Sequence, residues 1–183
     1  MHANTLEHLK PCLKPGARVL DVGVGSGYLT GIAPISLLNF GLACMALMVG
    51  ETGKVFSVDH IEQITQFAKE NIAKKNAELL SRITFVTQDG RKGLPEHAPF
   101  DVIHIGGAMP FIPKEIEDQL APLGKLWIPV GTNAQTIYLL DKDQNGIIKA
   151  SSLYKVAYGP LTTPQDQLHS SSGTFSLASF FAT

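Results

Sequence analysis

Short apolar runs alternate with helical segments along most of the chain, and this alternation limits the possible folds more than any other feature. The runs lie at 18–22, 54–58, 82–87, 101–105 and 125–130, and helical spacing of apolar residues occupies 5–13, 61–80 and 113–120. Strands that alternate with helices need crossover connections, which build a largely parallel sheet. Two more runs, 135–140 and 148–158, have no helix between them and flank the turn-forming residues 143–146. The sequence therefore predicts an α/β fold with a mostly parallel doubly wound sheet and an antiparallel edge.

Composition excludes several classes of protein. The chain has 183 residues, a size typical of one domain, and a formal net charge of −1 without a basic stripe. We therefore expect neither nucleic-acid nor membrane binding. Cys12 and Cys44 are too few and too far apart for a disulfide framework or a cysteine-based zinc site, and we expect no metal. The uncharged stretch 22–50 is long enough for a membrane span, but glycines and Pro34 interrupt it, so we expect a cytoplasmic protein.

A glycine-rich loop follows the first predicted strand, with Gly23, Gly25 and Gly27 in a Gly-x-Gly-x-Gly pattern. Ligands of open α/β sheets bind at the carboxyl ends of the strands, and glycine lets the backbone approach them closely. A dinucleotide fingerprint has its third glycine one residue later, so the spacing disfavours a nicotinamide-dependent oxidoreductase. S-adenosylmethionine has no pyrophosphate, and Asp21 is placed to accept a hydrogen bond from its ammonium group. A tight structural turn is the alternative interpretation of the loop.

Two further acids close the next two strands. Asp59 ends the second, where a carboxylate can bind both hydroxyls of a ribose, and Asp89 ends the third before Gly90, near the expected adenine edge. Asp59 lies 32 residues after Gly27, against about 20 in the usual pattern, which indicates about twelve extra residues. Taken singly, each acid could instead be a helix cap or a turn residue. His104, inside a strand, is interpreted as a satisfied core histidine and not as a catalyst.

Six blocks of sequence resemble the protein-L-isoaspartate O-methyltransferase family. They are LDVGVGSGYL (20–29), GKVFSVDHI (53–61), DGRKG (89–93), APFDVIHIGGA (98–108), DQLAPLGKLWIPVG (118–131) and YGPLT (158–162). The resemblance extends from Met1 to about Leu168 and implies a Rossmann-like S-adenosylmethionine-dependent methyltransferase. We therefore expect a methyltransferase domain over 1–168 and a disordered tail over 169–183.

The family pattern also implies which residues contact the cofactor, S-adenosylmethionine. Together with the three loop glycines, the implied contacts are His2, Asp21, Asp59, Asp89, Gly90, Thr162 and Gln167. His2 could equally be a disordered terminal residue, and Thr162 and Gln167 could be turn residues after Pro160. Residues 106–110 and 128–131 are expected to line the groove for the substrate.

The chain departs from the family pattern in three places. The family has a longer N-terminal segment, and its Thr-Ile-Ser-Ala-Pro-His run carries the active-site serine and precedes the position of Met1. Residues 31–42 (GIAPISLLNFGL) have no counterpart, and their removal restores a spacing of 20 residues between Gly27 and Asp59. The segment after Leu168 leaves the pattern. We expect the insert to destabilise the fold, and the catalytic residues of this chain are unknown.

The implied reaction is methyl transfer from S-adenosylmethionine to the carboxylate of L-isoaspartyl residues in damaged proteins, a step of protein repair. The partners would be isoaspartyl-containing proteins and peptides, bound by a monomer. Because the serine segment is absent from the chain as written, we expect turnover close to background. The alternative is a non-catalytic or unstable cofactor-binding variant of such an enzyme.

Overall fold

The computed structural model describes residues 2–23, 40–163 and 166, and it contains one seven-stranded sheet. The strands are β1 (Arg18–Val22), β2 (Lys54–Asp59), β3 (Ile83–Thr87), β4 (Phe100–Ile105), β5 (Leu120–Val130), β6 (Gln135–Lys142) and β7 (Ile148–Val156). Their order across the sheet is β3-β2-β1-β4-β5-β6-β7. Strands β1 to β5 pair in parallel, whereas β5–β6 and β6–β7 are antiparallel. The predicted fold class, a parallel sheet with an antiparallel edge, is confirmed.

Helices cover both faces of the sheet. They are α1 (His2–Leu9), α2 (Phe40–Met48), α3 (Glu62–Lys75) and α4 (Lys114–Asp118). Buried side chains from α2 and α3, such as Met45 and Ala68, pack with Val19 and Val102 on one face, together with Leu9 at the end of α1. Ile116 of α4 belongs to the core on the opposite face. Because the chain winds outward from β1 in one direction and from β4 in the other, the topological switch point lies between these two strands.

Several element bounds differ from the sequence prediction. The helix expected over 61–80 is two elements, α3 and a 3-10 helix over Ala77–Arg82, which meet at Asn76, a residue with non-helical backbone angles (φ −150°, ψ 58°). Strand β5 begins five residues earlier than expected, at Leu120, because its register against β4 shifts between Phe100 and Val102. Leu123, with a φ of 65°, absorbs that irregularity at an exposed position. Helix α4 is correspondingly short.

Two predictions fall largely outside the described residues. Of the expected insert 31–42, only Phe40, Gly41 and Leu42 are described, and they form the start of α2. The expected tail 169–183 lies wholly outside. No helix within the described ranges is long and apolar enough to cross a membrane.

Candidate functional site

The carboxyl ends of β1 and β4 meet through two glycines at the switch point. The N–H of Gly106 donates to the carbonyl of Val22 at 2.7 Å, and the N–H of Gly23 donates to the carbonyl of Val58 at 2.8 Å. Gly23 has a φ of +80°, a conformation that side chains disfavour, and a Cβ on Gly106 would lie 2.7 Å from the carbonyl oxygen of Gly23. Both positions therefore require glycine, because the two strand ends pack backbone against backbone here.

Asp21 lies on β1, two residues before Gly23, and is hydrogen-bonded to His104 on the neighbouring strand β4. Its Oδ1 lies 2.7 Å from Nδ1 of the imidazole, and the two residues face each other in the β1–β4 register. The side chains are 6% and 16% exposed, respectively. A carboxylate only accepts hydrogen bonds, so Nδ1 carries the hydrogen and donates it. His104 is therefore hydrogen-bonded, as predicted, and its partner is Asp21, the acid that precedes the glycine loop.

Asp59 ends β2 and is almost completely buried, at 7% exposure. Its Oδ1 accepts the N–H of Ile61 at 3.0 Å, at the entrance to α3. Burial raises the pKa of the Asp59 carboxyl above its ordinary value, against the lowering effect of that backbone bond; a small further rise comes from Asp21. A ligand that donates hydrogen bonds to a carboxylate with a raised pKa stabilises its ionised form.

Asp89 lies two residues after the end of β3, in a different environment. Both of its oxygens accept from the guanidinium of Arg91, with the shortest contact 2.6 Å, and Oδ1 also accepts the Arg91 N–H at 3.0 Å. Both side chains are 39% exposed. The hydrogen bonds from the Arg91 side chain hold the pKa of the Asp89 carboxyl below its ordinary value. Asp89 also caps the short 3-10 helix Gly90–Lys92, as the alternative interpretation of this acid expected.

Gly90 has a structural reason of its own to be glycine. A Cβ at this position would lie 2.3 Å from Cγ1 of Val22, and Gly90 is buried. The turn after β3 therefore packs directly on the end of β1. This contact draws the third strand end close to the first.

The C-terminal segment of the described chain returns to the same edge of the sheet. The N–H of Leu161 donates to the carbonyl of Ala108 at 2.8 Å, and a Cβ on Gly23 would lie 3.8 Å from Cδ2 of Leu161. Thr162, the next residue, is half-buried, and its hydroxyl lies 3.3 Å from Oδ2 of Asp166. The structure thus brings Thr162 to the edge that holds Asp21, although 140 residues separate them in sequence.

The remaining predicted site residues are only partly placed. Gly25, Gly27 and Gln167 lie outside the described residues. His2 begins α1, and its side chain is not described. Of the two segments expected to line a substrate groove, Met109 and Gly131 bond through backbone groups at 2.8 Å, so the segments are adjacent. Within the described ranges, no cluster of three His, Cys, Asp or Glu side chains could hold a metal ion.

Sequence reasoning missed a row of polar side chains across the sheet. Ser57, Asp21, His104 and Trp127 are consecutive register partners on β2, β1, β4 and β5. The Oγ of Ser57 and the Nε1 of Trp127 are buried and have no hydrogen-bond partner among the described residues. The signal that could have found the row is the strand register, because each residue alone is an ordinary member of an apolar run.

Comparisons with known proteins agree with this architecture. The family model described as protein-L-isoaspartate(D-aspartate) O-methyltransferase matches residues 1–166. A protein-L-isoaspartate O-methyltransferase from Triticum aestivum is 40% identical over 174 residues, which cover 93% of this chain and 70% of the relative. A second relative of that description, from Arabidopsis thaliana, is 42% identical, and the match covers 92% of this chain and 52% of the relative.

Solved structures give the same result in three dimensions. The crystal structure of a protein-L-isoaspartate O-methyltransferase from Plasmodium falciparum in complex with S-adenosyl-L-homocysteine superposes with a TM-score of 0.73 at 31% identity, covering 88% of this chain and 73% of that one. An O-methyltransferase from Thermotoga maritima, at 18% identity and a TM-score of 0.55, shares the fold. The chain belongs to the protein-L-isoaspartate(D-aspartate) O-methyltransferase family.

Proposed function

We propose that this protein transfers a methyl group from S-adenosylmethionine to the carboxylate of L-isoaspartyl residues in proteins and peptides. The observation that carries the proposal is the family match, which extends over residues 1–166 and so includes every strand end described above. The geometry supports it, because acids and glycines from β1, β2, β3 and β4 converge at one edge of the sheet. That edge is where ligands of open α/β sheets bind.

The described residues fit an S-adenosyl ligand. The backbone at Gly23 and Gly106 carries no side chains, and glycine lets a ligand approach the chain closely. Asp59 is a buried carboxylate whose pKa burial raises, even though backbone hydrogen bonds from Ile61 and His60 and the charge of His60 lower it. The ribose of such a ligand, a neutral group with two hydroxyl donors, matches Asp59, because it adds hydrogen bonds without placing another charge beside the carboxylate.

Each acid then has a separate binding role. Asp21 accepts from the ammonium group, Asp59 from the ribose hydroxyls, and Asp89 with Gly90 borders the adenine. In this proposal the cofactor lies against backbone without side chains at Gly23, Gly25 and Gly27. The remaining cofactor contacts come from His2, Thr162 and Gln167. Residues 1–168 form the methyltransferase domain in this proposal, with 31–42 as an insert and 169–183 as a tail.

The bound sulfonium supplies an activated methyl group. The attacking carboxylate of an isoaspartyl side branch has a pKa near 4 in peptides, so it is ionised at neutral pH and needs no strong general base. The protein's contribution is to align the carboxylate with the methyl group and to exclude water. Alignment of this kind contributes about 7–11 kcal/mol. Residues 106–110 and 128–131, which are bonded to each other at Met109 and Gly131, form one wall of the substrate groove.

Methyl transfer from radiolabelled S-adenosylmethionine tests the proposal directly. The full chain is incubated with a peptide that contains one L-isoaspartyl residue and, separately, with the same peptide containing normal aspartate. The proposal predicts labelling of the isoaspartyl peptide above that of the aspartyl peptide. The rate of that labelling tests the separate prediction of turnover close to background. Equal labelling of both peptides contradicts the substrate assignment. Background labelling of both, with S-adenosylhomocysteine still bound, contradicts the enzymatic proposal and supports a non-catalytic cofactor-binding protein.

A further inference from the structure

We propose that His104 is a positioning residue that orients the Asp21 carboxylate toward the ammonium group of the bound cofactor. The inference rests on the cofactor role proposed for Asp21 and extends it to a residue on a different strand. The two side chains come from β1 and β4, the strands on either side of the topological switch point.

The contact is short, buried and specific to one oxygen. Nδ1 of His104 lies 2.7 Å from Oδ1 of Asp21, and Asp21 is 4% exposed as a residue. In a parallel register, facing residues project to the same side of the sheet, so the backbone itself sets this pairing. The imidazole therefore approaches the carboxylate from the β4 side and fixes its rotation about the Cβ–Cγ bond.

A carboxylate has two oxygens and about four acceptor sites, so the bond to His104 leaves capacity for an ammonium group. Gly23 follows Asp21 by two residues, and its φ of +80° and its lack of a side chain place bare backbone next to the carboxylate's strand end. Without the imidazole, the carboxylate would rotate among several orientations, and binding the ammonium group would have to select one of them. Preorganisation of this kind increases affinity without any new contact to the ligand.

The surroundings indicate that a polar residue at position 104 needs a function. Val102 and Trp127, which lie on the same face, are completely buried, so an apolar residue would suit the position for packing alone. Among the titratable groups around the pair, Asp59 on β2 is influenced by the charges of Asp21 and His60, and the ring of His8 of α1 lies 5.5 Å from that of Trp127. His104 provides the N–H that reaches Asp21.

Two substitutions and two ligands test the proposal in the full chain. His104→Asn retains an N–H donor near the position of Nδ1, whereas His104→Leu removes it at similar size. S-adenosylhomocysteine carries the ammonium group, and 5′-methylthioadenosine lacks it but keeps the adenosine. We expect His104→Leu to weaken S-adenosylhomocysteine binding in calorimetry by about tenfold or more, and 5′-methylthioadenosine binding by less than about twofold. His104→Asn should restore S-adenosylhomocysteine affinity to within about threefold of wild type.

The outcomes separate the possible explanations. Equal losses for both ligands in His104→Leu would mean that His104 only maintains the fold, and unchanged affinity for both would mean that it does not orient Asp21; either result overturns the proposal. Failure of the wild-type chain to bind S-adenosylhomocysteine would instead refute the cofactor role proposed above. If His104→Leu does not fold, the nitrogen-15 spectrum of the wild-type imidazole decides the question. Nδ1 must carry the hydrogen, and its signal must shift with S-adenosylhomocysteine but not with 5′-methylthioadenosine.

Discussion

The carboxyl ends of β2 and β3 carry the same residue in opposite environments. Asp59 is 7% exposed and accepts a backbone N–H from Ile61, and burial raises its pKa. The Asp89 side chain is 39% exposed and accepts hydrogen bonds from the guanidinium of Arg91, which lower the pKa of the Asp89 carboxyl. One acid is therefore biased toward its neutral form, and the other is already compensated as an anion.

The difference shows that an acid at the end of a strand is not by itself a binding group. When burial outweighs the existing hydrogen bonds of a carboxylate, a ligand that donates further hydrogen bonds stabilises its ionised form. A carboxylate that an arginine already holds must exchange one set of hydrogen bonds for another, which contributes little net free energy. We therefore expect Asp59 to dominate cofactor affinity, with Asp89 mainly shaping the turn after β3.

Replacement of Asp59 should produce the largest effect. Asp59→Asn keeps the size and the acceptor for the Ile61 N–H but removes the charge. We expect the free energy of S-adenosylhomocysteine binding, measured by calorimetry, to become less favourable by about 1–3 kcal/mol, because a charge-assisted hydrogen bond is lost. The melting temperature should not fall, since a buried charge is removed with it. Unchanged affinity would contradict the ribose assignment.

A methyl group on Gly90 should destabilise the fold by a comparable amount. In Gly90→Ala the new Cβ would collide with Cγ1 of Val22, and we expect a loss of about 1–3 kcal/mol in urea denaturation. The double variant Gly90→Ala/Val22→Ala tests the mechanism, because it removes the colliding atom. The collision predicts that the double variant loses less stability than the sum of the two single losses; a loss equal to or greater than that sum would show that the collision is not the cause.

Asp89→Asn should have a smaller effect on affinity than Asp59→Asn. Because Arg91 already occupies both carboxylate oxygens, we expect a loss of at most about 1 kcal/mol in S-adenosylhomocysteine affinity. Stability should also change little, since exposed ion pairs contribute about 0–1 kcal/mol. A loss as large as that in Asp59→Asn would show that the adenine edge depends on the Asp89 charge, and the contrast between the two strand ends would then be wrong.

The two acids should also give opposite dependences of stability on pH. Unfolded aspartate has a pKa of about 3.9, and the folded-state pKa is lowered for Asp89. Its stabilising contribution is therefore present above pH 4 and lost as the pH falls through the folded-state value.

For Asp59 the folded-state pKa is raised, so the wild type loses stability as the pH rises from about 4 toward that value. Urea denaturation between about pH 3 and 7 should show Asp89→Asn approaching wild type at the acidic end. The stability advantage of Asp59→Asn should instead grow as the pH rises. Parallel curves for the two variants would contradict the difference in environment.

The strand ends could be predicted from sequence, but the environments of their acids could not. Apolar runs located six strands to within two residues: the parallel strands β1 to β4 are buried and have a strong compositional signal, and the antiparallel β6 and β7 flank a recognisable turn. The Asp89–Arg91 pair depends on the 3-10 turn over Gly90–Lys92, which no spacing rule specifies. The Asp21–His104 bond joins residues 83 positions apart and depends on the register of β1 against β4. The early start of β5 was missed because Pro122 in a run argues against a strand, whereas the bulge opposite Phe100 accommodates it.

Hydrogen–deuterium exchange of the full chain with and without S-adenosylhomocysteine tests the central claim most directly, namely that the cofactor binds at the carboxyl ends of β1, β2 and β4. We expect slower exchange in peptides that cover 18–23, 58–61, 103–109 and 158–163. Peptides from the antiparallel edge, 143–156, should exchange at the same rate with and without the ligand. Protection confined to that edge, or none in a chain that calorimetry shows to bind the ligand, would contradict the claim.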